Sequence, residues 1–216
     1  MKSILLIGMG RFGRYTARKL MEFGHDVMAV DKKEKRINKI MDTAASVRIG
    51  NAANRDFLET LGVRDFDLCI VCIGDAFLES LEITSLLKEL GAAKVIARAN
   101  SATQEKFLLR NGADAVVFPE RELAKWTAIR YSSEHIENYI DVSDGYSIYE
   151  VKIPNDWDNK RIDEIDVRKR YGINILGIRN GKMNMNPAHD TILRSQDTML
   201  VLGKDDQLKK LFRLQT

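Results

Sequence analysis

Short runs of apolar residues alternate with amphipathic segments over residues 1–118. Each run has four to six residues, which is a strand length, and most lack the polar alternation of a half-exposed strand. Such strands are typical of a parallel sheet covered on both faces by helices. We therefore predict an α/β domain over residues 1–118 with a doubly wound, six-stranded parallel sheet of Rossmann type. The predicted strands are Ile4–Ile7, Val27–Val30, Ser46–Ile49, Leu68–Ile73, Lys94–Ala97 and Ala115–Phe118.

The segments between these runs carry apolar residues at helical spacing. The clearest predicted helices are Arg14–Phe23, Lys33–Met41, Glu79–Leu90 and Thr103–Arg110. Helices commonly end in a left-handed conformation that glycine adopts readily. Glycines that follow the last apolar residue of a segment, and so predict helix ends, are Gly24, Gly62, Gly91 and Gly112.

The pattern changes after residue 118 and predicts a second, smaller domain. We expect residues 119–140 to form a crossover helix and linker, because Pro119 followed by acidic residues is typical of a helix start. This helix packs on its own domain or lies across a partner chain. Residues 141–216 have the pattern of a small α+β domain with an antiparallel sheet and a hairpin turn at Asn180-Gly181. Its predicted strands are Tyr146–Ile153, Gly172–Arg179, Met183–Met185 and Thr198–Leu202, and its predicted helices are Arg161–Lys169 and Asp205–Phe212.

Composition and charge exclude two classes of protein. The longest apolar run, Leu68–Ile73, has six residues, whereas a membrane-spanning helix needs about 20. Lys and Arg number 34 against 31 Asp and Glu, a balance of +3, so no nucleic-acid-binding surface is indicated. Met1–Ser3 leads directly into the first strand without the pattern of a signal peptide. We expect a cytoplasmic protein.

The strongest local signal is Gly8-Met9-Gly10-Arg11-Phe12-Gly13, which follows a strand and begins a helix. Gly8 permits a tight turn, Gly10 lets the backbone approach a diphosphate, and Gly13 lets helix and strand pack closely. The helix N-terminus offers N–H groups and partial positive charge to an anion. We predict adenine-nucleotide binding, the alternative being a glycine-rich turn in a nucleotide-free fold.

Asp31 stands at the end of the next strand, 18 residues after Gly13. Its carboxylate is placed to accept hydrogen bonds from a ribose. The same charge repels a phosphate on the ribose 2′-oxygen, so NADP is disfavoured unless Lys32 or Lys33 intervenes.

Small and polar residues also follow the other strands, at the edge where ligands bind in such sheets. We expect them to line the same site as Arg11, whose guanidinium contacts phosphates, a second chain or only solvent. These candidates are Asn51, Ala52, Ile73, Gly74, Asp75, Arg98, Asn100 and Glu120.

The sequence offers little for catalysis. The histidines His25, His135 and His189 are scattered, and none stands at a strand end near the expected ligand. Cys69 and Cys72 have a C-x-x-C spacing, but within a strand their side chains point to opposite faces, which predicts two core residues and neither a metal site nor a disulfide. A nucleotide bound without chemistry would act as an effector.

The whole chain resembles the cytosolic regulatory subunits of Trk/Ktr-type bacterial potassium uptake systems, which carry N-terminal and C-terminal RCK (regulator of potassium conductance) domains. The resemblance rests on the loop Gly8–Gly13, Asp31, Gly50-Asn51-Ala52, Arg98-Ala99-Asn100, Pro119-Glu120, the strand Ile173–Leu176 and the hairpin Asn180-Gly181. It implies that ATP, ADP or NAD(H) binds in the cleft, with Arg11 at the terminal phosphates and Asp31 at the ribose. It adds Gln104 to the lining, and it implies that Glu120 helps hold a cation such as Mg²⁺ near the phosphates.

The resemblance also implies partners. Family members form homodimers that assemble into octameric rings beneath a membrane potassium-translocating subunit, which would place this chain at the inner face of the cell membrane. Some relatives bind cyclic di-AMP at the C-terminal domain. The residues here that resemble that site are Arg168, Asn174, Ile175 and Pro187.

Two other functions stay open at this point. An NAD-dependent oxidoreductase requires a catalytic acid or base near the nicotinamide, which the strand ends do not supply. A redox-sensing DNA regulator requires a basic recognition helix, and the strand-rich C-terminal domain offers none.

Overall fold

A computed structural model describes residues 1–41, 44 and 46–212 of the chain. The chain divides into two compact units, of which the first is Met1–Glu120 and the second begins at Arg121. Among the described residues, no helix combines the length and apolar character needed to cross a bilayer.

The first unit contains the predicted six-stranded parallel sheet, with strand order β3-β2-β1-β4-β5-β6. All its neighbouring strands run parallel, and the order reverses between β1 and β4. This confirms the predicted fold class. The strands are β1 (Ser3–Ile7), β2 (Asp26–Asp31), β3 (Ser46–Ile49), β4 (Leu68–Val71), β5 (Val95–Arg98) and β6 (Ala115–Val117).

Helices connect the strands as predicted, and the four glycines at their ends have the expected positive φ. The predicted helix Lys33–Met41 is shorter in the structure and ends at Ile37. Beyond it the backbone continues in turns, with the Ile40 N–H bonded to the Ile37 carbonyl, although both side chains are buried. The helices are α1 (Arg11–Glu22), α2 (Glu34–Ile37), α3 (Arg55–Thr60), α4 (Phe77–Glu89), α5 (Ala102–Arg110) and α6 (Pro119–Tyr131), with a 3₁₀ turn at Val63–Asp65.

Hydrophobic clusters cover both faces of the parallel sheet. Leu5 and Cys69 belong to one cluster, and Leu6 and Cys72 belong to the other. The two thiols therefore lie on opposite faces, as the strand period predicts, and both cysteines are free. Burial raises the pKa of each thiol to about 12, so both stay protonated at neutral pH.

The second unit contains an antiparallel sheet of order β10-β9-β11-β8-β7, which confirms the predicted small α+β domain. Its core includes Trp157, Ile173 and Val201, with Trp126 and Ile129 of α6 packed against it. The strands are β7 (Ile136–Ser143), β8 (Tyr146–Lys152), β9 (Asn174–Asn180), β10 (Lys182–Asn184) and β11 (Thr198–Lys204). The helices are α7 (Ile162–Ile165), α8 (Val167–Tyr171) and α9 (Asp205–Leu211), with a 3₁₀ turn at Asn155–Trp157.

Two details of the second unit differ from the sequence prediction. Strand β7 begins at Ile136, inside the segment expected to be a linker, so the antiparallel sheet begins before residue 141. The helix expected over Arg161–Lys169 is divided at Asp166, whose φ of 50° is left-handed. A left-handed residue interrupts the helical hydrogen bonding, so two short helices form instead of one.

Candidate functional site

A cavity of about 910 Å³ lies at the carboxyl ends of the parallel strands in the first unit. It opens where the strand order reverses between β1 and β4, the position at which sheets of this type bind ligands. Predicted site residues that line it are Gly8, Gly10, Arg11, Phe12, Asp31, Lys32, Ala52, Ile73, Gly74, Asp75, Arg98 and Glu120. Gly50 and Lys33, which the sequence analysis also named, line it as well. Lining residues that the sequence analysis did not connect with a ligand are Ile7, Arg14, Arg36, Cys72, Ala76, Glu79 and Ile83.

The remaining predicted residues of the first unit are Gly13, Asn51, Asn100 and Gln104, which are not among the residues that line the cavity. A Cβ at Gly13 would lie 2.0 Å from the Gly8 carbonyl oxygen, so Gly13 is required for the contact between helix α1 and the loop. Asn51 accepts a hydrogen bond from the Ala53 N–H through its side chain. Asn100 donates to the Gly74 carbonyl at 2.7 Å, and Gln104 accepts from the Asn100 N–H at 2.8 Å. These side chains position the loops after β3, β4 and β5.

The loop after β1 leaves the start of α1 free to hold an anion. Gly10 is the N-cap of α1, contributes no capping side chain, and is followed by a first turn without acidic residues. Within the described part of the chain, no acceptor is paired with the N–H groups of residues 10–13. Arg11 and Arg14 also line the cavity. Unpaired N–H groups, the helix dipole and two guanidiniums together favour a phosphate.

Asp31 is buried, with 5% of its surface exposed, and its carboxylate accepts three hydrogen bonds. Oδ2 accepts from the Met9 N–H at 2.8 Å and from an Arg36 guanidinium N–H at 3.2 Å. Oδ1 accepts from the Lys33 N–H at 2.8 Å. The carboxylate thus ties the end of β2 to the glycine loop, a structural role that the sequence did not indicate.

Two further ion pairs stand in the cavity wall. Lys32 Nζ lies 2.7 and 2.8 Å from the two carboxylate oxygens of Glu79 in α4. Arg98 pairs with Glu120, and its guanidinium lies 5.5 Å from the centroid of the Phe12 ring. Arg98 Nε is buried and finds no hydrogen-bond partner among the residues that the structure describes.

The charge of the lining is positive. Counted over the described residues, six basic and four acidic side chains line the cavity. Three of the acids, Asp31, Glu79 and Glu120, are already paired with basic side chains. The surplus basic groups suit a ligand that carries several negative charges.

The described residues do not fit a metal site formed by the chain alone. Among them, no group of three or more His, Cys, Asp or Glu side chains is placed to hold a metal ion. Glu120, the carboxylate expected to hold a cation, is paired with Arg98.

The residues expected to form a second site are only partly brought together in the second unit. Arg168 Nε donates to Asn174 Oδ1 at 2.8 Å, which joins α8 to β9. Ile175 packs against the core, and Pro187 lies half-buried in the connection between β10 and β11.

Comparison with known proteins extends over the whole chain. Residues 4–119 match the TrkA-N domain and residues 148–216 match the TrkA-C domain. The Ktr system potassium uptake protein A of Bacillus subtilis (strain 168) is 36% identical over 210 residues, covering 97% of this chain and 95% of the relative. The Ktr system potassium uptake protein C of the same organism is 34% identical over 203 residues, covering 94% of this chain and 92% of the relative.

Solved structures with the same fold include the GsuK RCK domain. Its TM-score is 0.70 at 22% identity, covering 99% of this chain and 47% of that one. The GsuK channel bound to NAD has a TM-score of 0.69 at 22% identity and covers 99% of this chain and 39% of that one. This chain therefore spans less than half the length of these structures, which support the fold.

Proposed function

Because the chain belongs to the TrkA/Ktr family of potassium uptake proteins, we propose that it is a regulatory subunit of a bacterial potassium uptake system, controlled by an adenine nucleotide. The observation that carries the proposal is the cavity at the strand ends, with an uncapped helix N-terminus, surplus positive charge and a carboxylate at the end of β2. A phosphate-binding loop and a ribose-binding carboxylate are the parts that recognise a nucleotide.

The ligand class follows from the distribution of charge. The N–H groups of residues 10–13 and the side chains of Arg11 and Arg14 suit a diphosphate, while Asp31 retains capacity to accept from a ribose. ATP, ADP and NAD(H) share these groups. The similar GsuK structures are described as bound to NAD and, at a TM-score of 0.54 and 18% identity over 62% of this chain, to ADP, which supports an adenine nucleotide here.

The bound nucleotide acts as a signal rather than a reactant. The cavity lining contains no histidine in the part of the chain that the structure describes. Its one cysteine, Cys72, is kept protonated because burial raises the thiol pKa to about 12. The relatives are named as potassium uptake proteins, which supports an effector role.

The proposal includes assembly and location. We place the chain in a cytoplasmic homodimer that forms an octameric ring on a membrane potassium-translocating subunit. Helix α6 supports a contact with another chain, because Leu123 is 63% exposed and Tyr131 is 73% exposed. A second effector, cyclic di-AMP, would bind at the second unit near Arg168 and Asn174.

Calorimetric titration of the purified protein with ATP, ADP and NADH tests the proposal. We expect measurable affinity for at least one of them, and we expect Arg11→Ala to weaken ATP and ADP binding about tenfold, since hydrogen bonds to charged groups contribute about 1.5–3 kcal/mol. Arg18→Ala is the matched control, because Arg18 lies exposed on the same helix and does not line the cavity. Absence of affinity for all three nucleotides would overturn the nucleotide-binding function.

The role in transport needs a test in cells. Loss of the chain is expected to lower potassium uptake, and wild-type protein is expected to restore it. Unchanged uptake without the chain would contradict a role in potassium transport even if nucleotides bind.

A further inference from the structure

The end of the cavity around Asp31 carries more positive charge than a ribose needs. Lys32, Lys33 and Arg36 follow Asp31 in the sequence and line the cavity, as does Glu79, which pairs with Lys32. Lys32 is held by Glu79, so it is not free to act on a ligand. The next basic residues after Asp31 in the sequence are then Lys33 and Arg36, and these two remain available to a ligand.

Arg36 neutralises the carboxylate that would otherwise reject an anion. Its guanidinium pairs with Asp31 at 3.2 Å while 41% of the Arg36 side chain stays exposed. A guanidinium has five N–H donors in a planar fork that matches phosphate, and only the donation to Asp31 uses one of them within the described residues. The amino group of Lys33 has no partner in that part of the chain.

The carboxylate itself is nearly saturated as an acceptor. A carboxylate has about four lone-pair sites, and Asp31 uses three of them on Met9, Lys33 and Arg36. It cannot accept from both ribose hydroxyls without losing one of these contacts.

We propose that this end of the cavity accepts a phosphate on the ribose 2′-oxygen, with Arg36 as the specificity-determining residue and Lys33 as a second cation. The inference rests on the proposed function, since a nucleotide must occupy the cavity. The ligand class is 2′-phosphorylated adenine nucleotides, to which NADP(H) belongs. This inference reverses the expectation from the sequence that Asp31 disfavours a 2′-phosphate. The basic side chain that offsets the charge of Asp31 is Arg36 instead of Lys32.

Competition against bound ADP tests the inference with three probes: 5′-AMP, adenosine 2′,5′-bisphosphate and adenosine 3′,5′-bisphosphate. For wild type, the 2′,5′-bisphosphate is expected to compete at least as well as AMP and better than the 3′,5′ isomer. For Arg36→Gln, the preference for the 2′,5′-bisphosphate over AMP is expected to fall about tenfold, the effect of one charged hydrogen bond of about 1.4 kcal/mol or more. Lys35→Gln makes the same charge change on the same helix, away from the cavity, and is expected to leave the preference unchanged.

The outcomes separate this inference from the proposed function. If ADP does not bind, both fail. If ADP and AMP bind but wild type rejects the 2′,5′-bisphosphate tenfold or more, only the 2′-phosphate site is overturned. Equal competition by the 3′,5′ isomer would also overturn it, because it would show general attraction of anions. The wild-type comparison decides the matter even if Arg36→Gln fails to fold, and Arg36→Lys is expected to retain the preference.

Discussion

Gly10 and Gly13 stand three residues apart, as the N-cap and in the first turn of α1, and they lack a side chain for different reasons. A Cβ at Gly13 meets the Gly8 carbonyl oxygen at 2.0 Å, whereas a Cβ at Gly10 meets nothing within 4 Å. Gly10 has φ −63° and ψ −169°, an extended conformation open to any residue. The protein's own atoms therefore explain the glycine at 13 but not the one at 10.

This contrast predicts that Gly10→Ala separates ligand binding from folding. The free energy of unfolding should change by less than about 1 kcal/mol, because the poorer N-cap and the reduced entropy of the unfolded chain offset each other. ADP affinity should fall at least about tenfold, since the added methyl occupies the space through which a diphosphate approaches the backbone. Urea unfolding and calorimetry measure the two effects. Wild-type ADP affinity in Gly10→Ala would show that no diphosphate lies over this loop.

Gly13→Ala, in contrast to Gly10→Ala, is expected to change the stability of the fold. The new methyl forces α1 away from the Gly8 carbonyl and crowds the Cys72 side chain at 3.3 Å, so the free energy of unfolding should fall by about 2 kcal/mol or more. An unchanged urea midpoint for this variant would mean that helix and loop separate more easily than the structure indicates.

Among elements, Asp114 joins three parts of the first unit. Its carboxylate accepts from the Val95 N–H at 2.6 Å at the start of β5 and pairs with Lys88 of α4 at 3.1 Å, just before β6 begins. The Val95 hydrogen bond, with a smaller contribution from Lys88, lowers the pKa of the Asp114 carboxyl below its usual value. Its ionised form thus stabilises the junction of these elements.

Asp114→Asn should destabilise the protein at pH 7 and not at low pH. A lowered pKa means that the stabilisation is present above the unfolded value of about 3.9 and is lost as pH falls through the lower folded value. We expect a difference of about 1 kcal/mol at pH 7, reduced by salt because the side chain is 38% exposed. Urea unfolding between pH 7 and pH 3 measures it. Glu82→Gln, an exposed change in mid-α4, is the control, and a difference that persists below the folded pKa would contradict the assignment.

The sequence predicted those elements in which apolar residues recur at one regular spacing along the chain. Strands β1, β2 and β4 have buried apolar side chains on both faces, so their apolar runs were visible. Strand β7 was missed because Ile140 and Val142 are exposed and its pairing with β8 shifts register twice, which breaks the alternation. Its first residues were consequently taken as linker.

The same limit applies to the candidate site. The glycine loop and strand-end residues were predictable because backbone topology alone brings strand ends to one edge. Arg36 and Glu79 lie on helices, and whether their side chains turn to the cavity depends on how α2 and α4 pack. For Arg36, the sequence offered one indication that it belongs to the site, namely its position five residues after Asp31.

At the scale of the whole molecule, the two units have separate cores. The clusters of the first unit contain buried residues between Ile4 and Ala113, and that of the second contains buried residues between Ile136 and Phe212. A ligand in the first unit therefore acts directly on only one of two cores. A chain of this kind need not unfold in a single two-state transition.

Whether the two cores unfold separately can be tested by fluorescence. The chain has two tryptophans, and both belong to the second unit. Trp157 is buried in its core and Trp126 packs against it. Tryptophan fluorescence thus reports the second unit, whereas far-UV circular dichroism reports both. ADP at 100 times its dissociation constant should stabilise the first unit by about 2.7 kcal/mol. The dichroism transition should shift upward more than the fluorescence transition. For Gly10→Ala at the same ADP concentration, the dichroism shift should fall to about half or less, because a tenfold loss of affinity leaves about 1.4 kcal/mol of stabilisation. Coincident transitions that shift together would mean that the two cores unfold cooperatively, so that nucleotide binding stabilises the second unit as much as the first.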